Sequence, residues 1–206
     1  MGKGSYVGLF KIGNHKLSQS VLIFNMGPAK TCPSKKLGLC RTCRICYASK
    51  AEKLYPAVLP FRKRQEKYWD ETGVWGIIAD LSAITFKRKY LRFFRYNESG
   101  DFKSQADVDK LSVIADFLKE KCDILTYGYT ARSDLDFSKA KFIVRGSGFK
   151  GKDGETKVIE RNEEKPKQFN ICPATRNKGI KCMEHCVLCG NTGKFKNLRN
   201  IAFTKH

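Results

Sequence analysis

The chain has 206 residues, of which 41% are hydrophobic and 12% aromatic, so it contains enough apolar material for one domain with a sizeable core. These proportions exclude a wholly disordered chain. The 40 Lys and Arg residues outnumber the 20 Asp and Glu residues, giving a formal net charge of +20, and an excess this large indicates a polyanionic partner.

The positive charge is concentrated toward the two ends of the chain. Residues 1–70 hold 14 basic and 3 acidic side chains, and residues 161–206 hold 10 and 3, whereas residues 71–160 hold 16 and 14. No apolar run approaches the roughly 18–20 residues of a membrane-spanning helix. Residues 1–16 also lack the apolar core of a secretory signal. We therefore expect a cytoplasmic protein with no membrane partner.

The predicted elements alternate between strands and helices. The first strand covers residues 21–26 and ends at Gly27-Pro28. Helices over 48–54, 62–68 and 74–86 follow, and the last has Trp75, Ile78 and Phe86 roughly on one face. A strand over 90–96, a helix from Ser104, and strands over 124–130 and 142–145 complete the pattern. This alternation is typical of an α/β protein with a mostly parallel sheet.

Composition divides the chain into three parts. Residues 1–149 are predicted to form the α/β core. Residues 150–168 are mostly charged residues or glycine, which predicts an exposed loop. Residues 169–206 form a cysteine-rich segment with a basic tail, which includes a closing strand over 198–203.

Eight of the nine cysteines fall into two groups, each a Cys-Pro dipeptide followed by a tight triplet. The first cysteine group is Cys32, Cys40, Cys43 and Cys46, and the second is Cys172, Cys182, Cys186 and Cys189. Closely spaced thiolates in one loop converge on a metal, so both segments are predicted to bind one. A triplet with a remote Cys-Pro is ferredoxin-like, which favours a [4Fe–4S] cluster over zinc. Either each group closes its own site, or the groups exchange Cys32 and Cys172.

Basic side chains interleave or flank both cysteine groups and predict a surface that binds the phosphate backbone of nucleic acid. The candidates are Lys35, Lys36, Arg41, Arg44, Arg62, Lys63, Arg64, Lys194, Lys196 and Arg199. Candidate base-stacking aromatics are Tyr68, Trp69, Tyr127 and Tyr129. The sequence contains no Walker loop, dinucleotide fingerprint or Ser/His/Asp set, so no catalytic residue is assigned. An acidic host protein is the alternative partner.

Several motifs together resemble an uncharacterised family of phage-encoded proteins that is often placed beside the radical-SAM superfamily. They are Cys32-Pro33, Cys46-Tyr47-Ala48, Glu98-Ser99-Gly100-Asp101-Phe102, residues 126–133 and the second cysteine triplet. The resemblance implies a partial (βα) barrel-like sheet and a place in the cytoplasm of an infected host cell. It also implies an alternative function, an enzyme that binds S-adenosylmethionine at an open [4Fe–4S] cluster, with Ser99, Gly100 and Asp101 receiving the ligand's amino group.

The cysteine spacing departs from the superfamily pattern. That pattern is Cys-x3-Cys-x2-Cys, whereas the first triplet has two residues in each interval. The superfamily spacing occurs instead at Cys182, Cys186 and Cys189, far from where a catalytic loop belongs. Four cysteines could also close the first site, and a closed site is structural or carries electrons. The sequence therefore favours a nucleic-acid-binding metalloprotein over an enzyme.

Overall fold

A computed structural model describes residues 5–160, 162–177, 179–190 and 200–204. It opens with a hairpin of β1 (Ser5–Val7) and β2 (Phe10–Ile12), in which Gly8 has the left-handed φ of +58° that favours glycine. β2 pairs antiparallel with β3 (Val21–Phe24), which matches the strand predicted over 21–26. The hairpin was not predicted, because strands of three residues are too short to show an alternating pattern.

A long helical connection follows β3. Its parts are α1 (Pro33–Lys36), a 3-10 turn (Cys43–Ile45), α2 (Tyr47–Leu54), α3 (Val58–Glu71) and α4 (Val74–Lys87). Pro60 lies in the first turn of α3, where the backbone N–H groups have no intrahelical acceptor, so the helix tolerates it. The three helices predicted between residues 48 and 86 are thus confirmed.

The next elements repeat a strand–helix–strand pattern. They are β4 (Phe93–Tyr96), α5 (Gln105–Cys122), β5 (Leu125–Thr130) and β6 (Ile143–Ser147). Asp123 ends α5 in the left-handed conformation, with φ of +52°. All four elements agree with the sequence-based predictions to within a few residues.

The last part of the chain adds strands to the same sheet. Its elements are β7 (Glu155–Ile159), β8 (Asn170–Ile171), α6 (Pro173–Arg176) and β9 (Ile201–Thr204). The predicted exposed loop over 150–168 is wrong at β7, where Thr156 and Ile159 are buried and Lys157 is exposed. The high charge of this segment conceals a strand in which only Lys157 is exposed.

The nine described strands form one sheet in the order β1-β2-β3-β4-β5-β6-β7-β9-β8, and every pair from β3 onward is parallel. The predicted α/β class and mostly parallel sheet are confirmed, and the described residues include six α-helices. A partial (βα) barrel stays a prediction. Because these strands run in one direction, the loops after β3, β4, β5 and β8 lie at one carboxyl edge of the sheet.

Helices cover one face of the sheet. Phe94 and Val144 on this face pack in one core with Trp69 of α3, Leu81 of α4 and Leu111 of α5. The side of α4 that joins the core contains Ile77, Ile78, Leu81 and Ile84. The predicted apolar face is therefore wrong at Trp75 and Phe86, which are 74% and 73% exposed.

The second cysteine group covers the opposite face. Val21, Ile23, Tyr127 and Ile143 pack there against Cys172, Met183 and Cys189 in a separate core. Alternation along each strand produces this division, since successive side chains point to opposite faces. None of the described helices combines the length and the hydropathy that crossing a bilayer requires.

Candidate metal centres and basic segment

The first cysteine group lies in the loop that follows β3. Cys32 immediately precedes α1, and the 3-10 turn brings Cys43 and Cys46 back toward Cys40. The N–H of Cys43 donates to the Cys40 carbonyl at 3.4 Å, and the Cys43 thiol interacts with the thiols of Cys40, Cys32 and Cys46. The four thiols of this group therefore lie in one neighbourhood at the carboxyl edge of the sheet.

The thiols of Cys32 and Cys43 hold their protons more tightly than an exposed cysteine does. Burial, with a smaller contribution from the Asp101 carboxylate, raises the pKa of Cys32 to about 11. Burial and the interaction with the Cys40 thiol raise the pKa of Cys43 to about 12. Because a metal binds the thiolate, metal uptake at this group would release protons.

Asp101 connects the first cysteine loop to the ends of two strands. Its buried carboxylate accepts hydrogen bonds from the N–H of Phe102 (3.0 Å), Thr130 Oγ1 (2.6 Å), the N–H of Ala131 (2.9 Å) and Ser34 Oγ. Burial raises the pKa of Asp101, although each of these hydrogen bonds acts in the opposite direction. Since Ser34 belongs to α1, this carboxylate fixes the helix that follows Cys32.

Ser99 and Gly100 lie in the narrow space beside the loop that follows β3. Gly100 has φ of +75°, and a Cβ at this position would lie 2.7 Å from the backbone nitrogen of Gly27, so only glycine fits. Ser99 is buried, and its N–H donates to Asn25 Oδ1 at 2.9 Å. The loop of residues 99–101 is thus anchored by contacts within the protein, and its binding of S-adenosylmethionine stays a prediction.

Backbone hydrogen bonds hold the second cysteine group at two points, to β9 and to the connection between β2 and β3. Cys172 follows β8 directly, and its N–H donates to the Ala202 carbonyl of β9 at 2.8 Å. The N–H of Cys182 donates to the Lys16 carbonyl at 2.8 Å. Cys172, Cys182 and Cys189 pack in one core, where the Cys182 thiol interacts with those of Cys172 and Cys189. Cys186 completes this turn of the chain, because its carbonyl accepts a hydrogen bond from the N–H of Met183 at 2.8 Å.

Each cysteine group is assembled from its own members. Cys32 interacts with Cys40, and Cys172 with Cys182, while the choice between two separate sites and an exchange of Cys32 and Cys172 stays a prediction. Among the described residues, no three or more Cys, His, Asp or Glu side chains are already arranged to hold a metal ion. The two metal centres therefore stay predictions, to which the structure contributes the proximity of the thiols.

Two arginines and two tyrosines lie on the sheet face beneath the second cysteine group. In the parallel register Arg95 of β4 is the neighbour of Tyr127 of β5, and Tyr129 of β5 is the neighbour of Arg145 of β6. Tyr129 packs in the same core as Cys189, and the two side chains interact electrostatically. Arg145 is buried, and its Nε–H donates to the backbone carbonyl of Cys189 at 3.3 Å.

Arg95 and Arg145 were not predicted from the sequence to belong to a site. Each arginine stands within an apolar strand, where a charged side chain is rare unless a partner compensates for its burial. An arginine inside an apolar strand is therefore the sequence signal from which both residues could have been predicted to have a buried partner.

The segment of residues 30–65, here called the basic segment, is fully described and contains the first cysteine group. Its exposed cations are Lys30, Lys35, Lys36, Arg41, Arg44, Lys50, Lys53, Lys63 and Arg64. The one acidic residue in the segment, Glu52, has a side chain that is only 7% exposed. The basic segment therefore presents nine cations and no exposed carboxylate of its own.

Arg62 is a correction to the predicted nucleic-acid surface. It is buried, its Nη1 lies 2.7 Å from Glu52 Oε1, and the same nitrogen donates to the Ala48 carbonyl at 2.9 Å. Because both charged groups are out of water and paired, Arg62 joins α3 to α2 and does not face a ligand. The predicted residues Lys194, Lys196 and Arg199 lie outside the described residues.

The candidate stacking aromatics are also corrected. Trp69 and Tyr127 are buried, and the Tyr68 hydroxyl donates to Asp80 at 2.6 Å on the helical side of the sheet. Tyr129 packs edge-on against Phe203. The basic segment instead exposes Tyr55, at the end of α2, by 61%.

A family model described as Gene product 88 matches residues 7–144, which is more than half of the chain. The chain belongs to the Gene product 88 family. The Gene product 88 match includes the first cysteine group and the 99–101 loop, whereas the second cysteine group lies beyond it. The family name is consistent with the phage-encoded family that the motifs resemble, and it shows no link to the radical-SAM superfamily. No curated protein and no solved structure was found to match the chain.

Proposed function

We propose that this Gene product 88 protein is a metalloprotein of the infected host cell's cytoplasm that binds nucleic acid through its basic segment. Each cysteine group holds one metal centre. The first centre fixes its loop in the conformation that binds nucleic acid, and this loop carries Lys35, Lys36, Arg41 and Arg44. The observation that carries this proposal is the set of nine exposed cations in the basic segment, which also contains the first cysteine group, with the segment's one carboxylate buried.

The donor set of each cysteine group fits a metal centre. Four cysteine sulfurs suit both a tetrahedral zinc ion and a [4Fe–4S] cluster, and the Cys-Pro-plus-triplet spacing favours the cluster. Either centre cross-links a loop that has little regular secondary structure, so binding and local folding are coupled. Anaerobically purified protein should contain two centres per chain. Less than one equivalent of iron plus zinc per chain would contradict the metal proposal.

The charge of the basic segment suits a phosphate backbone. A four-thiolate centre carries about −2, so two centres leave most of the +20 in place. Cations that contact phosphates release condensed counterions, and the affinity then falls steeply as salt rises. The exposed ring of Tyr55 offers a base-stacking surface beside these cations.

Charge reversal with a matched control tests the nucleic-acid proposal. The test variant changes Lys53, Lys63 and Arg64 to Glu, since these cations are exposed and lie outside the stretch of chain from Cys32 to Cys46. The control changes the exposed Lys121, Lys139 and Lys141 to Glu, which lowers the net charge by the same amount. Binding of labelled RNA and DNA is measured across a salt series, with metal content measured in parallel.

We expect the test variant to lose at least tenfold in affinity and about one unit of log–log salt slope for each lost phosphate contact, with a much smaller loss in the control. Equal losses in both variants would mean that net charge alone explains the binding, which contradicts a specific surface. Absence of binding by the metal-loaded wild type would refute nucleic acid as the partner, and capture of one acidic host protein would replace it.

A radical-SAM-like enzyme is the second candidate function, and one contact favours it. The hydrogen bond between Ser34 and Asp101 places the first cysteine group beside the 99–101 loop, which is where a cluster-bound S-adenosylmethionine would need both. If this function is correct, one of the four cysteines is dispensable for iron binding, and added S-adenosylmethionine changes the paramagnetic resonance of the reduced cluster. A requirement for all four cysteines and an unchanged spectrum would exclude it.

A further inference from the structure

Two buried hydrogen-bond donors beneath the second cysteine group have no partner among the residues that the structure describes. They are the hydroxyl of Tyr127, a residue only 1% exposed, and the Nε–H of Arg95. The two side chains are neighbours in the register of β4 and β5, on the face that the second cysteine group covers. A buried donor without an acceptor costs about 1–3 kcal/mol of stability. Two adjacent donors of this kind therefore indicate that binding of a ligand at this place supplies their acceptor.

The cysteine sulfurs on this face are candidate acceptors for these two donors. Tyr127 interacts electrostatically with Cys182 and Cys189, and Arg95 interacts with both of these sulfurs as well. Tyr129, two residues further along β5, packs in the same core as Cys189 and also interacts electrostatically with it. As protonated thiols these sulfurs are weak acceptors, whereas metal-bound thiolates are charged and accept strongly.

The other charged groups around Arg95 leave its Nε–H available. Glu98 is the nearby carboxylate, and its Oε1 lies 3.6 Å from Nη1 of Arg95, on a different nitrogen of the guanidinium. Glu98 also accepts a hydrogen bond from Asn14 at 3.0 Å. The guanidinium lies over the ring of Tyr129, 5.3 Å from its centroid, which fixes its orientation on the sheet.

We propose that Tyr127, Arg95 and Tyr129 form a hydrogen-bonding shell for a thiolate-ligated metal centre at Cys172, Cys182, Cys186 and Cys189. This inference rests on the proposed function, because it requires the second cysteine group to hold a metal. The Tyr127 hydroxyl and the Arg95 Nε–H donate to metal-bound sulfur, which satisfies both donors and offsets the negative charge of the buried centre. The metal-free protein thus carries an unsatisfied hydroxyl that the metal-bound protein does not.

Tyr127→Phe tests this shell because its effect should depend on the metal. Removing the hydroxyl takes away a hydrogen bond only when the metal is bound, and takes away an unsatisfied polar group when it is not. Tyr96→Phe is the matched control: Tyr96 is also fully buried in the same sheet, on the opposite face, and its hydroxyl donates to the Ile143 carbonyl at 3.3 Å.

The experiment measures metal retention and thermal unfolding for the wild type and both variants. Each protein is purified with its iron or zinc, its metal content is determined, and a chelator is titrated until the second equivalent of metal is lost. Unfolding is then followed for the metal-loaded and the chelated forms.

We expect the second cysteine group of Tyr127→Phe to bind metal about tenfold to hundredfold more weakly than that of the wild type. The chelated form of the variant should unfold at a temperature no lower than that of the chelated wild type. Tyr96→Phe should lose stability equally in both forms and keep its metal affinity. Unchanged metal affinity in Tyr127→Phe, with two equivalents present in the wild type, would overturn the shell and leave the proposed function standing. A wild type that contains no metal would overturn both.

Discussion

Replacing Arg62 by Met separates a structural arginine from its two exposed neighbours. Arg62, Lys63 and Arg64 are consecutive in sequence, yet only Arg62 is buried, with its side chain 6% exposed beside a Glu52 side chain that is 7% exposed. Methionine keeps much of the length and apolar volume of the arginine stem, so the substitution removes mainly the charge and its hydrogen bonds.

The magnitude follows from what Glu52 loses. Its Oε1 also accepts from the N–H of Ala29 at 2.7 Å, but without Arg62 its negative charge remains buried and uncompensated. Removing one partner of a buried ion pair costs about 3–5 kcal/mol. With a urea m-value of about 2–3 kcal/mol per molar, we expect the unfolding midpoint of Arg62→Met to fall by about 1–2 M.

Urea unfolding of four variants checks this reasoning. Lys63→Met and Arg64→Met should unfold within about 0.5 kcal/mol of the wild type, because both side chains are exposed. Adding Glu52→Gln to Arg62→Met should restore part of the lost stability, since it removes the unpaired charge. If Arg62→Met is as stable as Lys63→Met, or if Glu52→Gln lowers stability further in the double variant, the buried pair does not stabilise the fold as described.

Two further substitutions probe the carboxyl edge and the sheet. Asp101→Asn should lower the free energy of unfolding by about 2 kcal/mol in a thermal melt, because either orientation of the amide places its NH2 against a backbone N–H. The control Asp116→Asn, on the exposed side of α5, should leave the melting temperature almost unchanged. Gly128→Ala should lower the free energy of unfolding by about 1–3 kcal/mol, since its Cβ would lie 2.6 Å from the Tyr96 ring. In the control Gly73→Ala, the added Cβ meets no described atom within 4 Å. Equal melting temperatures for these two variants would contradict the packing described.

The sequence by itself determined the elements whose signals are local. The apolar run of β3, the helical periodicity of α5 and the spacing of each cysteine group depend on residues that are close in the chain, so they are visible without a fold. The order of strands and helices likewise implied a mostly parallel sheet. The short hairpin of β1 and β2 and the charged strand β7 escaped, because neither has an apolar pattern long enough to recognise.

Tertiary structure alone decided which polar residues are exposed and which face the cysteines. The burial of Arg62 depends on Glu52, which lies ten residues away on another helix, and the placement of Arg95 beside Tyr127 depends on two strands that α5 separates in the chain. A charge is exposed or buried according to what packs against it, and for these residues the partner is distant in sequence. Spacing can therefore identify candidate metal ligands, whereas the polar residues that surround those ligands are known only once the strands are paired.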